Sequence, residues 1–217
     1  MRLFPRGRRQ WILTLILLAI LLGVAGYCCV APAVRLSKYE PAEGDVIFQA
    51  LPRVTDLVRM IEGVTESPYS HCGVVVKEDG KWLVVESIGK VKKTPLLTWA
   101  MRGRGGKFAV YRLKEEHRKN IPAFIRELEA FMGRPYDFKY RMDDDALYCS
   151  ELVYRAYKNA TGEQLGKPVR LGDMNWKPHE ATIRKYEGGP PPLDVMIIAP
   201  KHLAEAEQLE KVFGGDF

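Results

Sequence analysis

Apolar residues form one long run near the start of the chain and only short runs after it. From Trp11 to Val34, 24 consecutive residues carry no charged side chain. A membrane-spanning helix needs about 20 predominantly apolar residues, whereas the apolar core of a signal peptide has about 7–15. Nothing polar marks one face of the run, which argues against a core helix of a soluble protein. The pattern predicts that residues 1–34 form a membrane anchor or signal segment, with an uncleaved anchor favoured.

Basic residues in front of this run predict its orientation. They are Arg2, Arg6, Arg8 and Arg9. Because positive charges stay on the cytoplasmic side, the rest of the chain should lie outside the cytoplasm, in the periplasm or at the cell surface. Two other fates remain open. One is cleavage after the small-residue stretch 31–33. The other is lipidation of Cys28, although Tyr27 stands where a lipoprotein signal has a small residue.

After a polar linker at residues 35–43, the pattern in residues 44–217 is typical of one α+β domain. Two apolar runs flank an Asp-Gly turn at residues 78–81, so residues 72–76 and 82–87 should pair as an antiparallel hairpin. The pattern also predicts strands at 45–48, 108–113 and 195–198, and helices at 53–63, 93–101, 116–132, 149–161 and 201–213. Residues 163–192 read as a long polar loop that carries function or covers a site.

Charge and cysteine content exclude several classes of function. The formal net charge is +6, but the four N-terminal arginines leave only +2 for the rest of the chain. Such a balanced surface is not typical of nucleic-acid binding. The sequence shows no metal-ligand spacing, so neither a metal nor a cofactor is expected. Cys72 and Cys149 alone do not make a disulfide scaffold.

Cys149 is the candidate nucleophile because a helix is predicted to begin there. A thiol attacks acyl groups as a thiolate, and a helix N-terminus favours negative charge. The chain has four histidines, and among them only His71 enters the predicted hairpin that can pack against this helix. Position 71 should pair roughly with position 88, which brings Glu86 close to His71. We therefore expect His71 to be the general base and Glu86 to orient its ring.

Other interpretations of these residues remain open. A cysteine at a helix start is often a small buried hydrophobe, and Glu86 could be a solvated charge at a strand end. Cys72 and Cys149 could also form a disulfide in an oxidising compartment. However, neighbouring residues of a strand point to opposite faces. If His71 faces Cys149, Cys72 should point away, which argues against the disulfide.

Four segments carry a resemblance to a known family: GDVIF, SPYSHCGVVV, VVESIG and GRPYDFKYRMDDDALYCSELVYRAY. Together they resemble the permuted branch of the NlpC-type papain-like superfamily, the YiiX-like hydrolases, over about residues 43–200. The histidine hairpin precedes the cysteine helix, as in that branch. The resemblance implies a papain-like fold with an antiparallel sheet packed against the nucleophile helix. It also implies a Cys149, His71 and Glu86 triad.

The same resemblance implies a role for Tyr136 and leaves the substrate open. Tyr136 matches a tyrosine that precedes the nucleophile, so it should line the site and donate near the oxyanion beside the N–H of Cys149. A packed loop aromatic is the alternative. Unpermuted peptidoglycan peptidases have Asp where this chain has Tyr148. The acids at 143–145 could bind a cation or a basic group, but such runs are more often solvated loops.

The expected reaction is acyl transfer to water from a peptide or acyl substrate. The first hypothesis is an amidase or peptidase that cleaves cell-wall peptide or a similar amide. The second is a lipid-directed thioesterase or acyltransferase, and the third is a non-catalytic binding module. A pocket lined by acids and polar groups would favour peptide, whereas a long apolar groove would favour lipid. The oligomeric state is not indicated by the sequence.

Overall fold

The computed structural model describes residues 6–142 and 145–215, and the side chains of residues 10–18 and 30–36 within the first helix. The helices are α1 (Arg6–Leu36), α2 (Asp56–Thr65), α3 (Leu96–Arg102), α4 (Ile121–Ala130), α5 (Cys149–Thr161), α6 (Glu180–Glu187) and α7 (Pro200–Ala204). The strands are β1 (Val46–Gln49), β2 (His71–Glu78), β3 (Lys81–Ile88), β4 (Lys90–Pro95), β5 (Phe108–Leu113), β6 (Val169–Arg170), β7 (Met196–Ile197) and β8 (Leu209–Phe213). Short 3₁₀ helices span Arg104–Gly106, Glu115–Asn120, Leu171–Asp173 and Lys177–His179.

In these ranges the strands form a six-stranded antiparallel sheet in the order β4-β3-β2-β1-β5-β8 and a two-stranded sheet of β6 and β7. The predicted hairpin is confirmed: β2 pairs with β3 around the Asp-Gly turn, with Val74 opposite Val85. The paired residues run from Val74 opposite Val85 to Glu78 opposite Lys81. The fold is therefore α+β with an antiparallel sheet.

The two faces of the sheet have different cores because side chains alternate along each strand. Cys72, Val74 and Val76 face the larger core, which α4 and α5 cover. Val75 faces the smaller core on the other side, together with Trp99 of α3. The start of α5 lies against the larger face of β2 and β3.

The first helix, α1, contains most of the predicted anchor and continues to Leu36, two residues into the predicted linker. It packs against α3 and the 3₁₀ helix that follows it. Buried Pro32 lies so close to Gly106 that a Cβ there would stand 2.4 Å from the proline Cγ. Within the described part of the chain, no helix combines the length and the apolar character that crossing a membrane requires.

Three predicted elements were wrong in part, and strand pairing explains two of them. Residues 90–95 form β4 along the free edge of β3, whereas the predicted helix began at residue 93. The predicted helix at 201–213 is only α7, since residues 209–213 pair with β5 as β8. The predicted loop at 163–192 contains α6, which packs against α2.

Candidate functional site

His71 and Glu86 lie on one face of the hairpin and contact each other. His71 Nε2 is 2.6 Å from Glu86 Oε2, and both side chains are almost fully buried. Gly73 keeps the hairpin face between them clear, since a Cβ there would stand 2.6 Å from Val84 Cγ1 and 3.3 Å from Glu86 Cβ. His71 and Glu86 are therefore neighbours in the structure, as the sequence predicted.

The carboxylate of Glu86 has two further partners that hold it in place. Thr94 of β4 donates its hydroxyl to Oε1 at 2.6 Å, and Arg102, the last residue of α3, donates to Oε2. Burial would raise the pKa of Glu86, but the hydrogen bond and charge of His71 and those of Arg102 outweigh it and lower the pKa to about 2. Glu86 is thus a carboxylate, not the solvated strand-end charge of the alternative interpretation.

Cys149 is the first residue of α5, as predicted, and a chain of hydrogen bonds ties this helix start to the hairpin. Ser87, next to Glu86, donates its hydroxyl to the carbonyl of Leu147 at 2.5 Å. The N–H of Leu147 donates to the carbonyl of Pro135, and the hydroxyl of Tyr148 accepts from the N–H of Ile198 at 3.1 Å. The backbone just before Cys149 is therefore held against the strand that carries Glu86.

Cys149 lies close to both His71 and Cys72, and each of these residues lowers the pKa of its thiol. Because Glu86 occupies Nε2 of the imidazole, Nδ1 is the nitrogen left for Cys149. The prediction that Cys72 points away from Cys149 was wrong. His71 begins β2 at the end of the sheet, so its ring reaches the start of α5, while Cys72 faces α5 directly from the larger core. Both thiols are free in the structure.

These contacts polarise the pair. The hydrogen bond from the Cys72 thiol is the largest effect that lowers the pKa of Cys149; burial opposes it, and the hydrogen bond and charge of His71 lower it further. Burial alone would lower the pKa of His71, but its hydrogen bonds to Cys149 and Glu86 raise it to about 9. Burial keeps the pKa of Cys72 above its usual value. These shifts favour a thiolate at Cys149 beside an imidazolium at His71, with the proton kept on Cys72.

Tyr136 lies close to Cys149, and its hydroxyl is 3.2 Å from that of Tyr140. Burial, the neighbouring Tyr140 and the charge on Cys149 all raise the pKa of Tyr136, so it stays a protonated donor. Tyr140 packs against Tyr148 with ring centroids 4.9 Å apart and ring planes tilted by 47°, and it lines the cavity beside Cys149. The structure therefore brings Tyr136 near the site and adds Tyr140, which the sequence analysis did not single out.

An apolar cavity opens beside Cys149, with a volume of about 690 Å³ including its mouth. It runs between α2, α6 and the segment before α5. Its apolar lining includes Met60, Val64, Leu171, Met174, Ile183 and Ile197. Polar groups stand at its side, where Arg141 and Glu187 form an ion pair at 2.7 Å. The predicted covering role of residues 163–192 agrees with this position, because α6 and Leu171 form part of the wall.

The other predicted features lie elsewhere or outside the described residues. His117 is in the 3₁₀ helix before α4, His179 lies against Gly63 of α2, and His202 Nδ1 accepts from the N–H of Ala199 at 3.1 Å. Of the acidic stretch 143–145, Asp143 and Asp144 are not among the described residues.

Residues 40–213 match the model of the family described as permuted papain-like amidase enzyme, YaeF/YiiX, C92 family. The chain belongs to this family. The resemblance inferred from the sequence is thereby confirmed, and so are the permuted papain-like fold and the class of cysteine hydrolase.

Two relatives agree with this membership. The chain is 33% identical over 181 residues to the uncharacterized protein YiiX of Escherichia coli strain K12, covering 80% of this chain and 87% of YiiX. It also superposes with a TM-score of 0.76 and 32% identity on a crystal structure titled metalloprotein yiiX from Escherichia coli O157:H7. That match covers 82% of this chain and 99% of the solved chain.

Replacing Glu86 with glutamine tests the polarisation of Cys149 and His71. Without the carboxylate, the pKa of His71 should fall from about 9, because the imidazolium loses its charged partner, and the pKa of Cys149 should rise. The pH range in which kcat/KM is high should therefore narrow from both sides, with kcat/KM at its centre falling about 10-fold to 100-fold. Glu78→Gln, on the exposed end of the same hairpin, is the matched control. An unchanged pH profile in Glu86→Gln would mean that Glu86 does not act on His71.

Proposed function

We propose that the chain hydrolyses an amide through a Cys149, His71 and Glu86 triad and a covalent acyl-enzyme. The observation that carries this proposal is that His71, whose ring contacts Glu86 at 2.6 Å, lies beside Cys149 at the N-terminus of α5 and lowers the pKa of its thiol. The family description names amidases. A non-catalytic binding module has no need of a buried thiolate–imidazolium pair beside a carboxylate that Thr94 and Arg102 hold in place.

The steps follow from the geometry. The Cys149 thiolate attacks the carbonyl carbon, and the backbone N–H of Cys149, with Tyr136 as a second donor, stabilises the oxyanion. The His71 imidazolium gives its Nδ1 proton to the leaving amine, the C–N bond breaks, and an acyl-enzyme remains. A water molecule then gives its proton to His71 and attacks the thioester. The thiolate leaves with the carboxylic acid released, and Glu86 keeps the ring oriented throughout.

The cavity favours a substrate with an apolar acyl group over cell-wall peptide. Most of its lining consists of aliphatic, methionine and aromatic side chains, and it reaches Cys149 directly, with Lys139, Arg141 and Glu187 among the polar lining residues. A muropeptide carries carboxylates, amines and amide groups, which the apolar part of this lining would leave without hydrogen bonds. The lipid-directed alternative therefore has a specific observation in its favour, and amide cleavage is compatible with it when the acyl group is a long hydrocarbon.

A series of amides that share one fluorogenic amine and differ in the acyl group tests both the amide hydrolysis and the preference for an apolar acyl group. We expect kcat/KM to rise by about fourfold per added methylene, from about 0.8 kcal/mol per buried CH₂, until the cavity is filled. The same acyl groups as esters and thioesters, and a muropeptide, complete the set. Turnover of thioesters alone would indicate a thioesterase, and turnover of the muropeptide alone would contradict the apolar acyl proposal.

A paired set of variants tests whether the cavity holds the acyl chain. Ile183, buried in the cavity wall on α6, is replaced with glutamine, and Val212, 41% exposed on β8, is the control. Ile183→Gln should flatten the dependence on chain length and leave the rate with a short acetyl amide nearly unchanged. Val212→Gln should keep the full dependence. Equal loss for short and long acyl groups in Ile183→Gln would place the acyl chain elsewhere.

We propose a location outside the cytoplasm from the sequence alone. The support is the uncharged run Trp11–Val34 behind four arginines. A C-terminal fusion to a reporter enzyme that is active only after export should be active in a bacterial host and inactive when residues 1–34 are deleted. Activity of a matching reporter that works only in the cytoplasm would contradict this location.

A metal is not part of the proposed reaction. The solved relative is titled a metalloprotein, so we asked whether this chain offers a comparable set of ligands. Among residues 6–142 and 145–215, no group of three or more His, Cys, Asp or Glu side chains is arranged to hold a metal ion. These side chains therefore do not fit a metal site, and the proposed hydrolysis uses no metal.

A further inference from the structure

We propose that Cys72 and Cys149 are a covalent modification site, in which a hydroperoxide oxidises Cys149 and Cys72 resolves it as a reversible disulfide. The proposal rests on the proposed function only in taking Cys149 to be a reactive thiolate. It assigns a role to Cys72, which the hydrolytic mechanism does not use as a reactant.

The packing of α5 on β2 places the two cysteines together. Cys72 is the second residue of β2 and points into the larger core, where α5 packs. Cys149, at the start of α5, belongs to the same buried cluster, and Cys72 lies close enough to lower the pKa of its thiol. Cys72 is fully buried and both thiols are free. The two side chains approach each other from packed elements, β2 and α5, so a disulfide with a bond length of about 2.05 Å would join β2 to the start of α5.

The two sulfurs differ in their exposure to an oxidant from solvent, and this difference determines which cysteine is oxidised first. Cys149 borders the open cavity, so a small oxidant can reach it from solvent. Cys72 has no exposed surface and lies behind Cys149. The oxidation of a cysteine follows its thiolate character and its exposure. Cys149, next to the imidazolium of His71, is therefore oxidised first, and Cys72 is the thiol within reach of the product.

The two steps balance. The Cys149 thiolate attacks one peroxide oxygen, the O–O bond breaks, and the leaving oxygen takes a proton as water or an alcohol. Cys149 is now a sulfenic acid, oxidised by two electrons that reduce the peroxide. Cys72 then loses its proton, its sulfur attacks the sulfenic sulfur, and the S–O bond breaks. Hydroxide leaves and takes up the proton as water, and a Cys72–Cys149 disulfide remains.

This disulfide would stop hydrolysis and protect the nucleophile at the same time. The sulfur that attacks the substrate is bonded to Cys72, so no thiolate is left for acyl transfer. The disulfide can be reduced by an external dithiol, whereas the further oxidation of a sulfenic acid to a sulfinic acid is irreversible for most proteins. A hydrolase that has both cysteines can therefore be reactivated by reduction after exposure to peroxide.

The test uses the full chain, treated with increasing equivalents of hydrogen peroxide in the presence of EDTA. Digestion without reductant, followed by mass spectrometry, should show the Cys72 and Cys149 peptides cross-linked, lighter by two hydrogens than their sum. The cross-link should disappear with dithiothreitol, and hydrolytic activity should return in parallel. A Cys28→Ser, Cys29→Ser double variant should behave in the same way, which shows that the N-terminal cysteines are not the partners.

The matched variant is Cys72→Ser, with Cys72→Ala as a second choice if the serine variant does not fold. After peroxide treatment, either variant should carry two added oxygens on Cys149, and dithiothreitol should not restore the activity that each had before treatment. The proposal is overturned if wild-type Cys149 reaches the sulfinic acid without a cross-link to Cys72. It is also overturned if Cys72 variants recover with dithiothreitol as the wild type does.

The mass readout separates this proposal from the proposed function. The cross-link is detected without any substrate, so a chain that hydrolyses none of the tested amides can still form it. Conversely, amide hydrolysis together with irreversible oxidation of Cys149 would leave the proposed function intact and remove the role of Cys72.

Discussion

Replacing Cys149 with alanine should lower kcat/KM by about 10⁵-fold or more, the loss expected when the nucleophile of a triad is removed. This corresponds to about 7 kcal/mol of transition-state stabilisation, at 1.36 kcal/mol per factor of ten. The reason is that the acyl-enzyme cannot form, while the cavity still binds the substrate. Mass spectrometry of the chain mixed with substrate should show the added acyl group in the wild type and not in Cys149→Ala.

A serine at the same position and a neighbouring control sharpen this result. Cys149→Ser keeps the geometry, but its hydroxyl stays protonated beside His71, so kcat/KM should remain at least about 10³-fold below the wild type. Ser150→Ala removes a buried hydroxyl one residue further along α5 and should keep most of the activity. Cys149→Ala activity close to the wild-type value would mean that another group is the nucleophile.

Replacing His71 with alanine should lower kcat/KM by about 10³-fold to 10⁴-fold, because the general acid and the partner of the thiolate are lost together. The pH dependence gives a sharper signature. In the wild type, the imidazolium, whose pKa is about 9, stabilises the thiolate at neutral pH. Without it, the pKa of Cys149 should rise, and the rate of alkylation of Cys149 should fall at pH 6 and recover as the pH increases.

Alkylation of Cys149 and Cys72 can be followed separately by mass spectrometry across pH. His117→Ala changes a histidine in the 3₁₀ helix Glu115–Asn120, away from the site, and serves as the matched control. It should keep the wild-type profile for Cys149. If His71→Ala also keeps the wild-type pH profile of Cys149 alkylation, other groups stabilise the thiolate, and the proposed role of His71 is contradicted.

Several features of this site could be predicted from local sequence because they depend on local rules. The Asp-Gly turn sets the hairpin register, and the register brings His71 and Glu86 to one face. Tyr148 and Gly162 bound α5 as the pattern predicted, so Cys149 stands at a helix N-terminus. In each case a turn or a helix end, a few residues long, decides the position of the functional side chain.

The partners of Glu86 and the orientation of Cys72 could not be predicted in this way. Thr94 and Arg102 reach Glu86 from β4 and α3, elements whose placement depends on how the hairpin edge is extended. Alternation along β2 does turn the side chains of His71 and Cys72 to opposite faces, but it does not determine where the start of α5 lies relative to the end of β2. From that position Cys149 contacts both His71 and Cys72, although the two residues point to opposite faces.

The sequence by itself determined the family, the hairpin and the three residues of the proposed triad, because each depends on neighbouring residues or on a recognisable motif. Only the tertiary structure decided what surrounds them. The cavity forms where α2, α6 and Leu171 meet beside Cys149, and the thiol pair forms where α5 packs on β2. Such contacts depend on the free energy of packing distant segments, which local patterns of polar and apolar residues do not encode.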